Sequence, residues 1–581
     1  MAPPRADLVE LRVLDGPNLY FPRPAVKLTI AVGGWLDVPE ERLEIALERV
    51  GATGRPGRPG SDQRRRTISR VAARVAWRLA AASRVRLAVR SRPGPERDQV
   101  VVAFPWRRRG AAEALGREVA PLLHELGGRR SVDRLLAEAA ERVAAAEPGN
   151  EPDVPEPEIP VVSVTGTNGK TTTVRLLAHL VRSAGRSVAY SSTDGVYRGD
   201  GELIEEGDYS GFGGAARALA EEPDIAVLET ARGGILLRGI GVLHNDIAVV
   251  TNVSEDHLGL HGIETIDQLA EVKATVTRIT RPEGWDVLNA DDPRVLSMRR
   301  LATGRPWLCS LDPWHPAIRD TLADGGRATV PLDGWLSVLD GSSSRPLLEL
   351  IDIPVTIAGV SRHNVMNAMQ AASAALAIGL PERAVVKGLT TFVTDPERNP
   401  GRANLFGLDG RVIVLDYAHN EAGMRGLTEM CNGLRKPGRE IWLVICTAGD
   451  RTDQILHGFA YAAARGADHV AAAELLRYLR GRDRLDVIER LIAGARDGGA
   501  TEVDAYADEL AGLRGVFGRS ERGDVIGVTA LGMRNEVFGW LEAAGAKRLT
   551  PADAKRLVRR ARTAPATATP PRTRDRADPS T

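Results

Sequence analysis

"VSVTGTNGKTTTVRLLAHL", residues 162–180, sets two glycines, a lysine and three consecutive threonines between a short apolar run and a stretch with helical periodicity. Such residues bury almost nothing, so their place between a strand and a helix points to a ligand rather than to a core. Gly166 and Gly169 permit tight backbone geometry in which successive amides face one concavity, and that concavity suits a polyphosphate. Thr167, Asn168 and Thr172 complete the loop around it. The helix start adds partial positive charge and Lys170 a full one, while the Thr171 hydroxyl can reach a magnesium ion carried by the phosphates. The spacing Gly-x-x-Gly-Lys-Thr is two residues shorter than the general phosphate loop but keeps its strand-before and helix-after context. A capped turn that uses its glycines for shape alone is the alternative.

Outward from the loop, short β-branched runs alternate with helical patterns: "VVSV" (161–164), "IAVLE" (225–229), "IAVVTN" (247–252), "WDVLN" (285–289), then "VIVLD" (412–416), "IWLVIC" (441–446) and "DVIGVT" (524–529). This alternation predicts βαβ units and mainly parallel sheets. The helix after the loop carries Val174, Leu177, Val181 and Ala184 on one face and ends at Gly185, a C-terminal cap. Upstream, "LRVLDGPNLYF" and "AVKLTIAV" read as strands joined by a Gly-Pro-Asn turn and "RTISRVAARVAWRLAA" as an amphipathic helix, which makes a small α+β domain. Its segment "RPGRPGSDQRRR" (55–66) is a basic loop, either a solvated turn or a site for an acidic ligand.

The stretch "EPGNEPDVPEPEIP" (147–160) has five prolines and five acidic residues and little to pack, so it is read as an extended linker. A second boundary falls near "TDPERNPGR" (394–402). The expected division is an N-terminal α+β domain at 1–146, the linker at 147–160, a phosphate-loop α/β domain at 161–398, a Rossmann-like C-terminal domain at 399–548 and a disordered tail at 549–581. With 581 residues the chain has ample core for several domains. Its 77 Lys plus Arg against 76 Asp plus Glu give a net charge of +1, which argues against a polyelectrolyte partner such as duplex DNA. Three scattered cysteines make neither a disulfide framework nor a zinc site, and no run suggests a membrane span or secretion signal, so a cytoplasmic protein is expected.

With these motifs in order the chain resembles the Mur ligase superfamily, whose members form amides at the expense of ATP, and within it the Mur-ligase-like half of cyanophycin synthetase. "GTNGKTTT" resembles the superfamily's phosphate loop. The subgroup resemblance rests on "STDGVY" (192–197), "LETARGGIL" (228–236), "TNVSEDHLGLHGIETIDQLAEVK" (251–273), "LNADDP" (288–293), "RHNVMNA" (362–368) and "LDYAHN" (415–420), and the N-terminal "GPNLY" is similar to the first domain of that synthetase. Between those two regions cyanophycin synthetase carries an ATP-grasp domain, and here only the proline-rich linker stands there.

The resemblance implies ATP as substrate, an acyl phosphate formed from a carboxylic acid, and attack on it by an amino group. It implies Glu229 and His257, with Thr171, as magnesium-binding residues, and a carbamylated Lys273 that helps organise the metal site. It places Asn289 and Asn364 near the nucleotide, though both residues also suit turns or helix caps. From the C-terminal domain it brings Arg402 to the γ-phosphate and Asp416 and His419 to the ribose and phosphates. Thr193, Asp194, Ser210 and Arg232 are candidates for the acid substrate, and Asp450 or Asp453 for a cationic amino acid. The reaction expected is addition of arginine or another cationic amino acid to an acidic peptide side chain, with homo-oligomerisation left open. A ligase for a glutamyl or cell-wall-type precursor and an inactive nucleotide-binding scaffold are the competing readings.

Overall fold

The computed structural model describes residues 4–563 apart from 200, 257, 476 and 477. The chain divides into two compact units, one running to Thr356 and taking in Arg362–Phe392, the other made of Ile357–Ser361 and the residues from Val393 onward. Among the described residues no helix is long and apolar enough to cross a membrane.

The first unit holds two sheets. The smaller is antiparallel: β1 (Asp7–Leu14), β2 (Ala25–Ala31), β3 (Arg90–Pro93) and β4 (Gln99–Pro105) lie in the order β1-β2-β4-β3. Side chains alternate across a strand, and one face of this sheet, with Val26, Leu28, Ile30, Val100 and Val102 fully buried, packs in a core shared with the helices Asp62–Ala82, Arg109–Glu125 and Val132–Ala144. The expected strands and helix are present. The basic loop is not a loop throughout: Ser61 caps the helix that begins at Asp62, and Arg64 is fully buried, donating to the Gly57 and Val38 carbonyls. Two carbonyls left over by neighbouring turns thus claim one of the arginines expected in solvent.

The larger sheet contains β5 (Val161–Thr165), β6 (Val188–Ser192), β7 (Gly195–Arg198), β8 (Glu202–Glu206), β9 (Ile225–Glu229), β10 (Asn245–Val250), β11 (Thr280–Asn289), β12 (Arg305–Cys309), β13 (Arg327–Leu332), β14 (Trp335–Asp340) and β15 (Ser343–Glu349). Its order is β15-β14-β13-β12-β11-β10-β5-β9-β6-β7-β8, parallel from β13 to β6 and antiparallel at both margins. Central strands such as β5 and β9 are buried at every residue, as strands covered on both faces must be. The helix Lys170–Ser183 buries Val174, Leu177 and Val181 and closes at Gly185, whose φ of 76° is the left-handed cap expected.

The second unit holds β16 (Asn404–Leu408), β17 (Arg411–Asp416), β18 (Ile441–Ile445), β19 (His469–Ala473), β20 (Val503–Tyr506), β21 (Val525–Thr529) and β22 (Lys547–Arg548) in the order β20-β19-β18-β21-β17-β16-β22, parallel except at β16 and β22. The α/β class with a phosphate-loop central domain, a Rossmann-like C-terminal domain and a small N-terminal α+β domain is therefore borne out. The tail expected to be disordered from 549 is corrected: Pro551–Thr563 is a helix that buries Ala554 and Val558 and packs on the helix Glu421–Leu434. The two small apolar residues, one turn apart, suffice because they meet an existing helix. The residues after 563 lie outside those described.

Candidate active site

In the larger sheet β5 sits between β9 and β10, so the loop leaving β5 is flanked at the carboxyl ends of the strands by the loops leaving its neighbours. This is where an open parallel sheet presents ligand-binding residues. The glycines there are required twice over. Gly166 has φ +147° and a Cβ on it would lie 1.8 Å from the Thr251 hydroxyl; Gly169 has φ +85° and a Cβ would lie 2.4 Å from the Asn367 amide oxygen. The residues after β10 clasp the loop. Thr251 Oγ1 donates to the Asn168 carbonyl at 2.6 Å, Asn252 both donates to that carbonyl and accepts from the Asn168 amide, and the Thr167 amide donates to the Asn252 carbonyl. The Lys170 ammonium folds back on the Thr167 carbonyl at 2.9 Å.

Glu229 ends β9 with its carboxylate 2% exposed. It accepts from the Thr171 hydroxyl at 2.8 Å on one oxygen and from the Thr193 hydroxyl at 2.8 Å on the other. Asp194, beside Thr193, is turned to Arg175 at 2.9 Å, an ion pair whose arginine is 4% exposed and lies over the Tyr197 ring. The pair fixes the turn that delivers Thr193, so of the two neighbours expected at the substrate one holds the carboxylate and the other holds the turn. Ser210 donates to Asp208 at 2.6 Å. Arg232 begins the helix Arg232–Leu237 and reaches toward the Leu260 carbonyl. His257 lies outside the described residues, and among those described no group of three or more His, Cys, Asp and Glu could hold a metal ion. A hydroxyl and one carboxylate do fit the hard-oxygen preference of magnesium, which commonly completes its shell with phosphates and water.

Lys273 ends the helix Ile266–Lys273, whose start is fixed by a capping box of Thr265 and Gln268. It is 3% exposed and donates to the Gly166 carbonyl at 2.6 Å. Burial and then the Lys170 charge hold its amine well below the usual lysine range; Asp256 and Glu229 pull the other way and Arg232 adds to the fall. That fall favours the neutral amine, the form that reacts with carbon dioxide.

Asn289 uses both ends of its amide inside the fold, donating to the Thr251 carbonyl and accepting from the Asp291 amide. Asn364 accepts from Asn367, which lies against Gly169. In the second unit Arg402 lies over the Tyr417 ring, Tyr417 meets His419 edge-on, and Asp416 accepts from the Ala403 amide. Burial pushes Asp416 up to about 6, against that bond and the charges of Arg402 and His419. Those three expected nucleotide residues are thus brought together. Asp450 and Asp453 pair with Arg480 and Arg482 respectively.

Residues 164–375 match the model of the Mur ligase middle domain and residues 401–532 that of the Mur ligase, glutamate ligase domain, together more than half of the chain. The cyanophycin synthetase of Synechocystis sp. is 39% identical over 348 residues, a match spanning 59% of this chain and 39% of that protein. The UDP-N-acetylmuramyl-tripeptide synthetase of Deinococcus radiodurans is 27% identical over 410 residues, spanning 68% of this chain and 78% of that protein. Among solved structures, E. coli FolC in complex with DHPP and ADP superposes with a TM-score of 0.51 at 20% identity, covering 67% of this chain and 90% of that one. The chain therefore spans about two fifths of the length of the cyanophycin synthetases it matches.

Proposed function

The chain belongs to the Mur ligase family, and from that premise we propose that it is an ATP-dependent, ADP-forming carbon–nitrogen ligase. The observation that carries the reading is the Glu229 carboxylate held by the Thr171 hydroxyl at the start of the phosphate-loop helix, with the buried Lys273 amine on the same loop. In the proposed reaction a carboxylate oxygen of the acid attacks the γ-phosphorus of ATP and ADP leaves. The amino group then attacks the acyl carbon, inorganic phosphate departs and an amide remains. The loop amides and Lys170 bind the phosphates and offset the charge that develops on transfer. Thr171, Glu229 and His257 would hold Mg2+, which would supply charge neutralisation at the phosphates. Lys273 is carbamylated in this reading, turning a neutral amine into an anion. In the second unit Arg402, Asp416 and His419 serve the nucleotide.

For the substrates we take the amine to be arginine or another cationic amino acid and the acid to be a side chain of an acidic peptide, on the strength of the likeness to cyanophycin synthetase over 348 residues. The test is an ADP-release screen of amino acids against short aspartyl peptides, with the product mass determined. Ligation of cationic amino acids supports the assignment. Robust ligation of a neutral or acidic amino acid alone defeats the substrate but not the ligase.

A further inference from the structure

The smaller sheet has a second face, turned away from its helices, on which Leu14, Ala25, Val101 and Ala103 join an apolar cluster and the rest is polar. Glu10 and Arg12 of β1, Lys27 and Thr29 of β2 and Arg92 of β3 line a cavity of about 770 Å3. Its opposite wall includes Ile235, from the short helix that starts three residues after Glu229, together with His261 and Glu264. Both walls are fastened to each other. Gly16 approaches so closely that a Cβ would lie 1.9 Å from the Ile240 carbonyl, the Gly16 amide donates to the Arg238 carbonyl, and Arg238 pairs with Asp15 at 2.6 Å. The Gly-Pro-Asn motif is therefore the clamp that sets the cavity's width rather than a plain hairpin turn.

The lining says what the cavity takes. Arg12, Lys27, Arg65, Arg66 and Arg92 share the lining with two carboxylates, Glu10 and Glu264; Glu10 pairs with Arg12 and Lys27, and Arg92 reaches Glu271 at 3.2 Å, so the lining keeps an excess of positive charge that favours an anionic ligand. The last two arginines of the basic segment, Arg65 and Arg66, thus line the cavity. The Thr29 hydroxyl, on a residue 4% exposed, has no hydrogen-bond partner in the fold, a cost that a ligand acceptor would remove. The cations are spaced, and Glu10 accepts from both Arg12 and Lys27 among them. Spaced single charges on a mixed wall match separate carboxylates, whereas a phosphate is met by converging amides as in the loop at Gly166. Arg232 ties this space to the phosphate loop electrostatically, because its charge bears on His261 in the cavity wall and on Lys273.

We propose that this cavity binds the carboxylate-bearing part of the acid substrate remote from the reacting carboxyl. The word substrate rests on the ligase reading; the anion site does not. The test is calorimetric titration of the full chain, without ATP, with hexa-aspartate and in parallel with tripolyphosphate. Hexa-aspartate is expected to bind in a salt-sensitive way, with affinity falling tenfold or more in Arg92→Gln and three- to tenfold in Thr29→Val, while ATP affinity stays within twofold. Thr29→Val is nearly isosteric and guards against a fold defect in the arginine variant. No binding to the wild type, unchanged affinity in both variants, or loss confined to tripolyphosphate overturns the proposal. Intact, cavity-dependent binding alongside no ADP release with any amino acid would instead sink the ligase reading and leave the anion site standing.

Discussion

Two buried carboxylates, one at the carboxyl edge of each parallel sheet, are held in opposite ways. Glu229 is bound at 2.8 Å by two side-chain hydroxyls, those of Thr171 and Thr193, with one longer bond from the Thr193 amide at 3.4 Å. Glu509, fully buried at the start of the helix Glu509–Arg519, accepts from the backbone amides of Leu531, Gly532 and Met533 and from the Cys446 thiol. A hydroxyl can rotate its proton away and offer a lone pair to a cation; a backbone amide can do neither. The first arrangement can exchange its partners for a metal and phosphates, and the second can only fasten a loop. The comparison separates a carboxylate kept for chemistry from one kept for stability.

The largest effect is expected at Glu229. Glu229→Gln should lower ADP release by about 10³-fold or more, since charge neutralisation at the phosphates is lost, while urea stability stays within about 1 kcal/mol because an amide can still pair with both hydroxyls. Lys170→Ala should behave likewise. A folded Gln variant, checked by circular dichroism, that turned over at the wild-type rate would break the comparison at its functional end.

At the other end, Glu509→Ala strands three amides and should cost about 3 kcal/mol in urea unfolding, with kcat of the folded fraction within about twofold. Burial and then the Glu509 charge hold the Cys446 thiol well above its usual range, so it remains a donor in this network. A variant that lost turnover at unchanged stability would show that Glu509 belongs with Glu229 after all.

The functional half of this contrast was legible in the sequence only where it is local. The glycines, Lys170 and Thr171 lie within six residues and the strand and helix flank them, so the phosphate loop could be read directly, and the apolar run before Glu229 marked a strand end. The partners could not be read. Thr171 and Glu229 are 58 residues apart, and Thr251 meets Asn168 across 83, because the order β10-β5-β9 brings three separate strand ends together. Nothing in local periodicity encodes that order. The same holds for Arg175 with Asp194 and for the cavity face of the smaller sheet, where the register of β1 on β2 sets Arg12 opposite Lys27. Glu509 carried no signal at all, since a glutamate opening a helix is ordinary and its amide partners come from a loop beyond the next strand.

Lys273 tests whether the exchangeable site needs an anion beside Glu229. Lys273→Ala should lose about 10²-fold in turnover, with partial recovery in added acetate or formate, and the wild type should lose activity when bicarbonate is stripped. An Ala variant at full activity, or one that acetate leaves unchanged while bicarbonate depletion has no effect, would remove the carbamate from the site.

The smallest effect belongs to a third buried carboxylate that sharpens the scale between the two. Asp286, on β11, is fully buried and takes one hydroxyl, from Thr280, and one amide, from Gly304. Burial pushes it up to about 7, with those two bonds pulling down. An unfolded aspartate titrates near 4, so between about pH 4 and pH 7 the unfolded chain gives up this proton while the folded chain keeps it. Stability therefore falls as pH rises through that window and levels off above it. A shift of this size has a ceiling of about 4 kcal/mol, and relaxation around a buried charge brings the expected loss to about 2 kcal/mol. Asp286→Asn imitates the protonated form: its amide nitrogen can donate to Thr280 Oγ1, whose own proton turns to the Val276 carbonyl at 3.3 Å. Urea unfolding of both proteins from pH 4 to pH 8 should show the Asn variant gaining on the wild type by that amount as pH rises. Parallel curves would mean that Asp286 ionises in place, and that one hydroxyl and one amide are enough to hold a buried carboxylate charged.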